Sequence, residues 1–187
     1  MLYILGGAAR TGKTIISRNI TKEKGIPCFS IDFLISSLQR GAPELKIKHG
    51  QAFIPKANKL WRFTRPLMES FIRNTESYTI EGDGILPKHV NDLSERFPNK
   101  VKACFLGFTK ISEKDKLAMI RKHEHLVDEW TSKFSDEEVV GFIDSMIKFS
   151  KFLKAECDKY SIPFIEVEDD LPKVEKEVKN KLFDITQ

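Results

Sequence analysis

The segment Gly7-Ala8-Ala9-Arg10-Thr11-Gly12-Lys13-Thr14 constrains this chain more than any other, because it matches G-x-x-x-x-G-K-[ST] at every fixed position. In front of it, Leu2–Leu5 is a short apolar run of the kind that forms a buried parallel strand. Behind it, Lys13–Lys24 reads as a helix closed by Gly25. In that setting each residue has a physical task. Gly7 and Gly12 let the main chain bend tightly, so that the N–H groups of Ala8, Ala9, Arg10 and Thr11 turn toward phosphate oxygens. The helix starting near Lys13 points its positive dipole end at the same anion. Lys13 reaches the β- and γ-phosphates of a nucleoside triphosphate, and the Thr14 hydroxyl holds Mg²⁺.

The rest of the chain alternates between strand and helix patterns. Strands are predicted at Pro27–Ile31, Ser77–Glu81, Val101–Leu106 and Pro163–Val167. Helices are predicted at Asp32–Gln39, Lys56–Asn74 with a kink or break at Pro66, Pro87–Phe97 and Lys173–Phe183. Two further helices announce themselves by their caps, at Ser112-Glu113-Lys114-Asp115 and at Ser135-Asp136-Glu137-Glu138, the second running to Tyr160. Arg40–Pro55, with glycine, proline and basic residues, reads as a mobile loop. In the helix ending at Tyr160, Phe142, Met146, Phe149 and Leu153 form one apolar stripe, read as core, with a dimer seam as the other option. Such alternation implies an α/β fold, a parallel sheet with helices on both faces.

Composition narrows the function classes. At 187 residues the chain suits one domain. A hydrophobic content of 41% and a charged content of 31% describe a globular protein. The net charge of +4 suits anionic ligands of modest size and gives no footprint for nucleic acid. No apolar run approaches the ~20 residues of a membrane span, and the N-terminus reads as a strand and not a signal peptide. Cys28, Cys104 and Cys157 are widely spaced and unpaired in pattern, so reduced thiols in a cytoplasmic protein are expected. His123-Glu124-His125 lacks the i, i+4 spacing that would let two helical histidines share a metal ion.

The P-loop at the start of the chain, the chain's size and the acidic residue after the second strand together resemble the P-loop small-molecule kinases. That group includes adenylate and shikimate kinases, chloramphenicol phosphotransferase and the zeta-toxin kinases. The stretches Trp130–Glu138 and Phe152–Cys157 also resemble an uncharacterised bacterial set of such kinases. The resemblance implies a three-layer sandwich with a five-stranded parallel sheet in the order 2-3-1-4-5. It implies a single kinase domain over residues 1–187, with an acceptor-binding lobe at about 36–75 and a lid at about 107–141. The implied activity is transfer of the ATP γ-phosphoryl group to a small-molecule acceptor, with Mg²⁺ as cofactor, in a monomer or homodimer. Asp32 then contacts the acceptor hydroxyl and takes its proton, or caps the helix it begins. Glu81 or Asp83 takes the Walker-B place that serves the metal, Glu81 being preferred because it directly ends its strand. Arg40, Arg62 and Arg65 fall in the acceptor lobe, either binding an anionic acceptor or facing solvent. Arg121 in the lid is the candidate for stabilising charge on the transferring group, or one more solvated helix residue.

The alternative is a nucleotide-binding regulator or slow NTPase with no phosphoryl acceptor. A base-reading N-K-x-D sequence, expected of a GTPase, is absent, and the chain is too short for the second domain of an AAA-type motor.

Overall fold

A computed structural model describes residues 1–122 and 133–183. Five parallel strands form one sheet: β1 (Leu2–Gly7), β2 (Cys28–Ser30), β3 (Tyr78–Gly82), β4 (Val101–Gly107) and β5 (Phe164–Glu166). Their order is β2-β3-β1-β4-β5, as the resemblance implied. β1 therefore lies between β3 and β4, with Leu5 beside Glu81 on one side and beside Cys104 on the other. Ser30 of the edge strand β2 lies beside Glu81 in turn.

Seven α-helices cover the sheet among the described residues: α1 (Lys13–Lys24), α2 (Ile31–Gly41), α3 (Phe53–Asn74), α4 (Pro87–Arg96), α5 (Glu113–Lys122), α6 (Asp136–Tyr160) and α7 (Leu171–Phe183). The two-residue period of the strands sorts their side chains between two cores. Leu5, Cys104, Leu106 and Ile165 meet Ile16 and Ile20 of α1 and Val174, Val178 and Leu182 of α7. Leu2, Ile4, Ile80 and Phe105 face the other way, into the core built by α2, α3, α4 and α6. Met146, Phe149 and Leu153 of the α6 stripe are buried in this second core, with Phe142 packed against it. The stripe is core.

Three places in the helices bear on the sequence expectation. Arg40–Pro55 is largely structured: α2 continues to Gly41, a 3₁₀ turn covers Pro43–Leu45, and α3 begins at Phe53. Pro55 falls in the first turn of α3, where its missing N–H has no helical partner to lose. Pro66 sits inside α3 without ending it. The carbonyl it deprives is that of Arg62, and both residues are exposed, so water can take the lost bond. Finally, Asp32 is not the cap of α2. Ser30 is the N-cap, its hydroxyl accepting the Asp32 N–H at 3.4 Å, and Asp32 stands in the first turn with its carboxylate released from capping.

The carboxyl end of β3 is packed against the start of α2. Gly82 has φ of 151°, and a Cβ there would lie 2.8 Å from the Ile31 Cβ. Gly82→Ala is expected to destabilise the fold by about 1–3 kcal/mol, seen as a lower midpoint in urea at unchanged slope.

Candidate active site

The loop between β1 and α1 is fastened to the sheet through its main chain. Ala8 N–H donates to the Leu106 carbonyl at 2.9 Å, fastening the loop to β4. A Cβ on Gly7, at φ of 134°, would lie 2.2 Å from that same carbonyl oxygen, so only glycine fits. Gly12 is the N-cap of α1 in the left-handed conformation, where it gives no side-chain cap. The first turn of α1 also holds no acidic residue. Its orphan N–H groups and positive dipole end are thus left for an external anion. The Lys13 ammonium, 7% exposed, donates to the Ala8 carbonyl at 2.5 Å and to Thr11 Oγ1 at 3.3 Å. Burial lowers its pKa, while Glu81, Asp83 and Asp32 oppose the shift.

Glu81, the last residue but one of β3, lies beside Ser30 of β2 and Leu5 of β1, which directs it at the start of α1. Thr14 Oγ1 donates to Glu81 Oε1 at 3.4 Å. Burial raises the Glu81 pKa; Lys13, Ser30 and Thr14 favour its charged form. Two hard oxygen donors meet here, one hydroxyl and one carboxylate. That suits Mg²⁺, which takes few protein ligands and completes its shell with water and phosphate oxygens. Asp83 is occupied differently: its Oδ1 is 3.0 Å from Lys56 Nζ on α3, an ion pair whose side chains are 14% and 4% exposed. The geometry thus separates the two acids around Gly82, Glu81 toward Thr14 and Asp83 toward α3.

Asp32 opens onto the same cleft from α2, accessible to solvent at its mouth. Its pKa is raised, first by loss of water within the cleft and next by repulsion from Asp83, against the pull of Lys13, His49 and Lys56. Phe33 beside it is 70% exposed.

Two lysines that the sequence alone does not single out belong to this neighbourhood. Besides Lys56, Lys116 on α5 is 3% exposed and donates to the Arg10 carbonyl at 3.0 Å, bridging α5 to the phosphate loop. It lies 4.0 Å from the centroid of the Phe108 ring. Burial lowers its pKa to about 8, with the positive charge of Arg10 adding to the effect. Arg121, the residue expected in this role, instead donates to Asp136 Oδ1 at 2.8 Å and to the Phe134 carbonyl at 3.1 Å, joining α5 to α6. The signal for both lysines is spacing: Lys56 precedes the buried Leu60 and Lys116 the buried Ile120, each by one helical turn.

The arginines of the acceptor lobe do not converge on the cleft. Arg40 is exposed at the far end of α2, Arg62 is exposed over the Phe63 ring, and Arg65 pairs with Glu69 at 3.8 Å. The aromatic residues interleaved with them pack inward: Trp61 stacks on His89 at 4.4 Å and Phe71 on Tyr78 at 4.1 Å. His123-Glu124-His125, the Trp130–Ser132 part of the kinase-like stretch and the middle of the expected lid lie outside the described residues. A shallow depression of about 430 Å³ beside Cys157, Pro163 and Lys181 lies at the opposite end of the strands and takes no part in the site.

No helix among the described residues is long and apolar enough to cross a membrane. No protein-family model matches the sequence, and no curated protein matches it. Solved structures do resemble it. A gluconokinase from Sinorhizobium meliloti aligns with a TM-score of 0.58 at 14% identity, covering 96% of this chain and 90% of that one. A shikimate kinase from Bacteroides thetaiotaomicron aligns with a TM-score of 0.58 at 14% identity, covering 99% of both chains. The shikimate kinase of Aquifex aeolicus aligns with a TM-score of 0.53 at 16% identity over 97% of this chain and 96% of its own.

Breaking the Lys56–Asp83 pair from one side leaves a buried charge without its partner. Lys56→Met alone is expected to cost about 3 kcal/mol or more in chemical denaturation, and most of that loss is expected to return in the Lys56→Met, Asp83→Leu double variant. The strand order, the covering helices and these alignments agree on one architecture: the chain has the fold of the P-loop small-molecule kinases.

Proposed function

We propose that this chain is an ATP-dependent phosphotransferase that moves the γ-phosphoryl group to a hydroxyl of a small molecule. The observation that carries the reading is the convergence, at the carboxyl ends of β1, β2 and β3, of the uncapped phosphate loop, the Thr14–Glu81 contact and the solvent-accessible Asp32. Ligands bind open α/β sheets at this edge.

In this reading the amides of Ala9–Lys13 and the α1 dipole cradle the β- and γ-phosphates, while the Ala8 amide stays on Leu106 and Lys13 exchanges its loop carbonyl for phosphate oxygens. Thr14 and Glu81 are the residues that would hold Mg²⁺. The metal, when bound, draws charge from the phosphate oxygens. The acceptor oxygen forms the new bond to phosphorus as the bond from phosphorus to the bridging oxygen breaks, its electron pair leaving with ADP. Asp32 takes the hydroxyl proton. A raised pKa suits this task, because a stronger base accepts the proton more readily. Lys116 takes the place expected of Arg121: it already reaches the phosphate loop from α5 and can bring its charge to the transferring group. Closure of α5 over the loop would keep water from the phosphoryl group.

With ATP, Mg²⁺ and a panel of hydroxylated metabolites, acceptor-dependent ADP release is expected. Lys13→Ala should lower its rate about 100-fold or more, and Asp32→Asn by about the same. In the wild type, kcat/KM should fall as the pH drops through the Asp32 pKa. Because that pKa is raised, the acid limb should lie above the ordinary carboxylate range, and Asp32→Asn should remove it. A single slow rate of ADP release whatever is added, unaffected by Asp32→Asn, would support the regulator or slow-NTPase reading instead.

A further inference from the structure

Among the described residues, the charges that act most on Asp32 are those of Asp83, Lys13, His49 and Lys56. Lys13 belongs to the phosphate loop and Glu81 faces Thr14. Of these, Asp32 and the Lys56–Asp83 pair are the groups left for the acceptor among the described residues. Lys56, 4% exposed, spends its charge on Asp83 and on the Phe53 ring 5.3 Å away. His89, stacked on Trp61, brings no cation: burial lowers its pKa to about 4, and its Nδ1 accepts the Leu86 N–H at 3.3 Å. His49 is exposed and held on Ser36 Oγ at 2.9 Å, so it meets the cleft only at its rim.

The arginines of this lobe sit away from Lys56 and Asp32 on their helices. At about 100° per residue, Arg65 lies on the side of α3 opposite Lys56, and Arg62 lies off the buried stripe that Lys56 shares with Leu60 and Thr64. Arg40 is about 12 Å along α2 from Asp32. An anionic acceptor would set its charge beside Asp32, Asp83 and the incoming γ-phosphate. To engage Lys56 it would have to strip Asp83 of its partner inside the protein, which is costly.

We infer that the cleft selects a hydroxylated acceptor without net negative charge, a neutral polyol or an amino alcohol, because its buried lysine is neutralised by Asp83 and its arginines face away. The inference rests on the phosphotransferase reading and deepens it. An uncharged hydroxyl compound can hydrogen-bond Asp32 and the Lys56–Asp83 pair without separating the pair. An ammonium group on the acceptor would gain from the excess carboxylate.

The test uses the whole chain and sorts acceptors by charge alone. A deproteinised small-molecule cell extract is divided by ion exchange into anion-retained, cation-retained and unretained fractions. Each is incubated with Mg²⁺ and γ-labelled ATP, and label moved to new compounds is measured against Lys13→Ala. Transfer in the unretained or cation-retained fraction, exceeding that in the anion-retained fraction by about tenfold or more, is expected. Transfer confined to the anion-retained fraction overturns the inference and leaves the phosphotransferase reading standing. No transfer above Lys13→Ala in any fraction overturns that reading, and the inference with it. Asp83→Asn, checked for folding by circular dichroism, frees Lys56 and should shift transfer toward the anion-retained fraction. An unchanged distribution in that folded variant would show that the pair does not set the preference.

Discussion

The Leu106 carbonyl on β4 accepts the Ala8 N–H, and it stands where any side chain on Gly7 would have to go. This one contact decides how the main chain leaves β1. It draws the loop against the neighbouring strand, obliges Gly7 to a conformation few residues adopt, and sends the chain round to Gly12, where α1 starts without a side-chain cap. An uncapped helix start beside a sheet edge is costly to leave unmatched, and an anion matches it. The other parts of the site are placed relative to that loop. β3 lies next to β1 and delivers Glu81 to Thr14; β2 lies next to β3 and starts α2 so that Asp32 faces the same opening.

Burial and charge oppose one another throughout the cleft. Lys13, Lys56 and Lys116 are each less than a tenth exposed, and each has an electrostatic reason to be tolerated there. Lys13 has the surrounding carboxylates and two loop oxygens, Lys56 has Asp83, and Lys116 has the Arg10 carbonyl and the Phe108 ring. Concentrating such groups in one place is expensive for the fold, and it is the usual signature of chemistry performed there. The three lysines also differ in purpose. Two surround the phosphate loop from α1 and α5, while Lys56 is neutralised on the acceptor side. On the proposed reading, the cleft is cationic on the side that takes phosphate and weakly anionic on the side that takes the acceptor.

The phosphate loop is legible in the sequence because its constraints are local: the spacing of Gly7, Gly12, Lys13 and Thr14 depends on nothing distant. The strands are legible for the same reason, and their order follows from the resemblance those residues carry. Lys56 and Lys116 are not, since a lysine on a helix is solvated unless tertiary packing says otherwise, and the partners that hold them lie 27 and 106 residues away. Arg121 stands out in the sequence for its charge and its position in the lid, but its guanidinium is held at the α5–α6 junction by Asp136 and Phe134. Asp32 reads as a cap only if the helix begins there. The true start is one residue earlier, and Ser30 takes the cap. The Arg40–Pro55 stretch reads as loop from composition alone, while the packing of α3 onto the sheet extends that helix back to Phe53.

The role proposed for every other group in the cleft depends on the loop after β1 binding the phosphates of a magnesium nucleotide. The most direct measurement is a calorimetric titration of Mg·ATP into the folded chain and into Lys13→Ala. The expected result is saturable one-site binding in the micromolar-to-millimolar range, weakened about tenfold or more in Lys13→Ala. Well-folded protein that takes up no nucleotide, or a Lys13→Ala variant that binds it as tightly as the wild type, would contradict the phosphate-loop assignment.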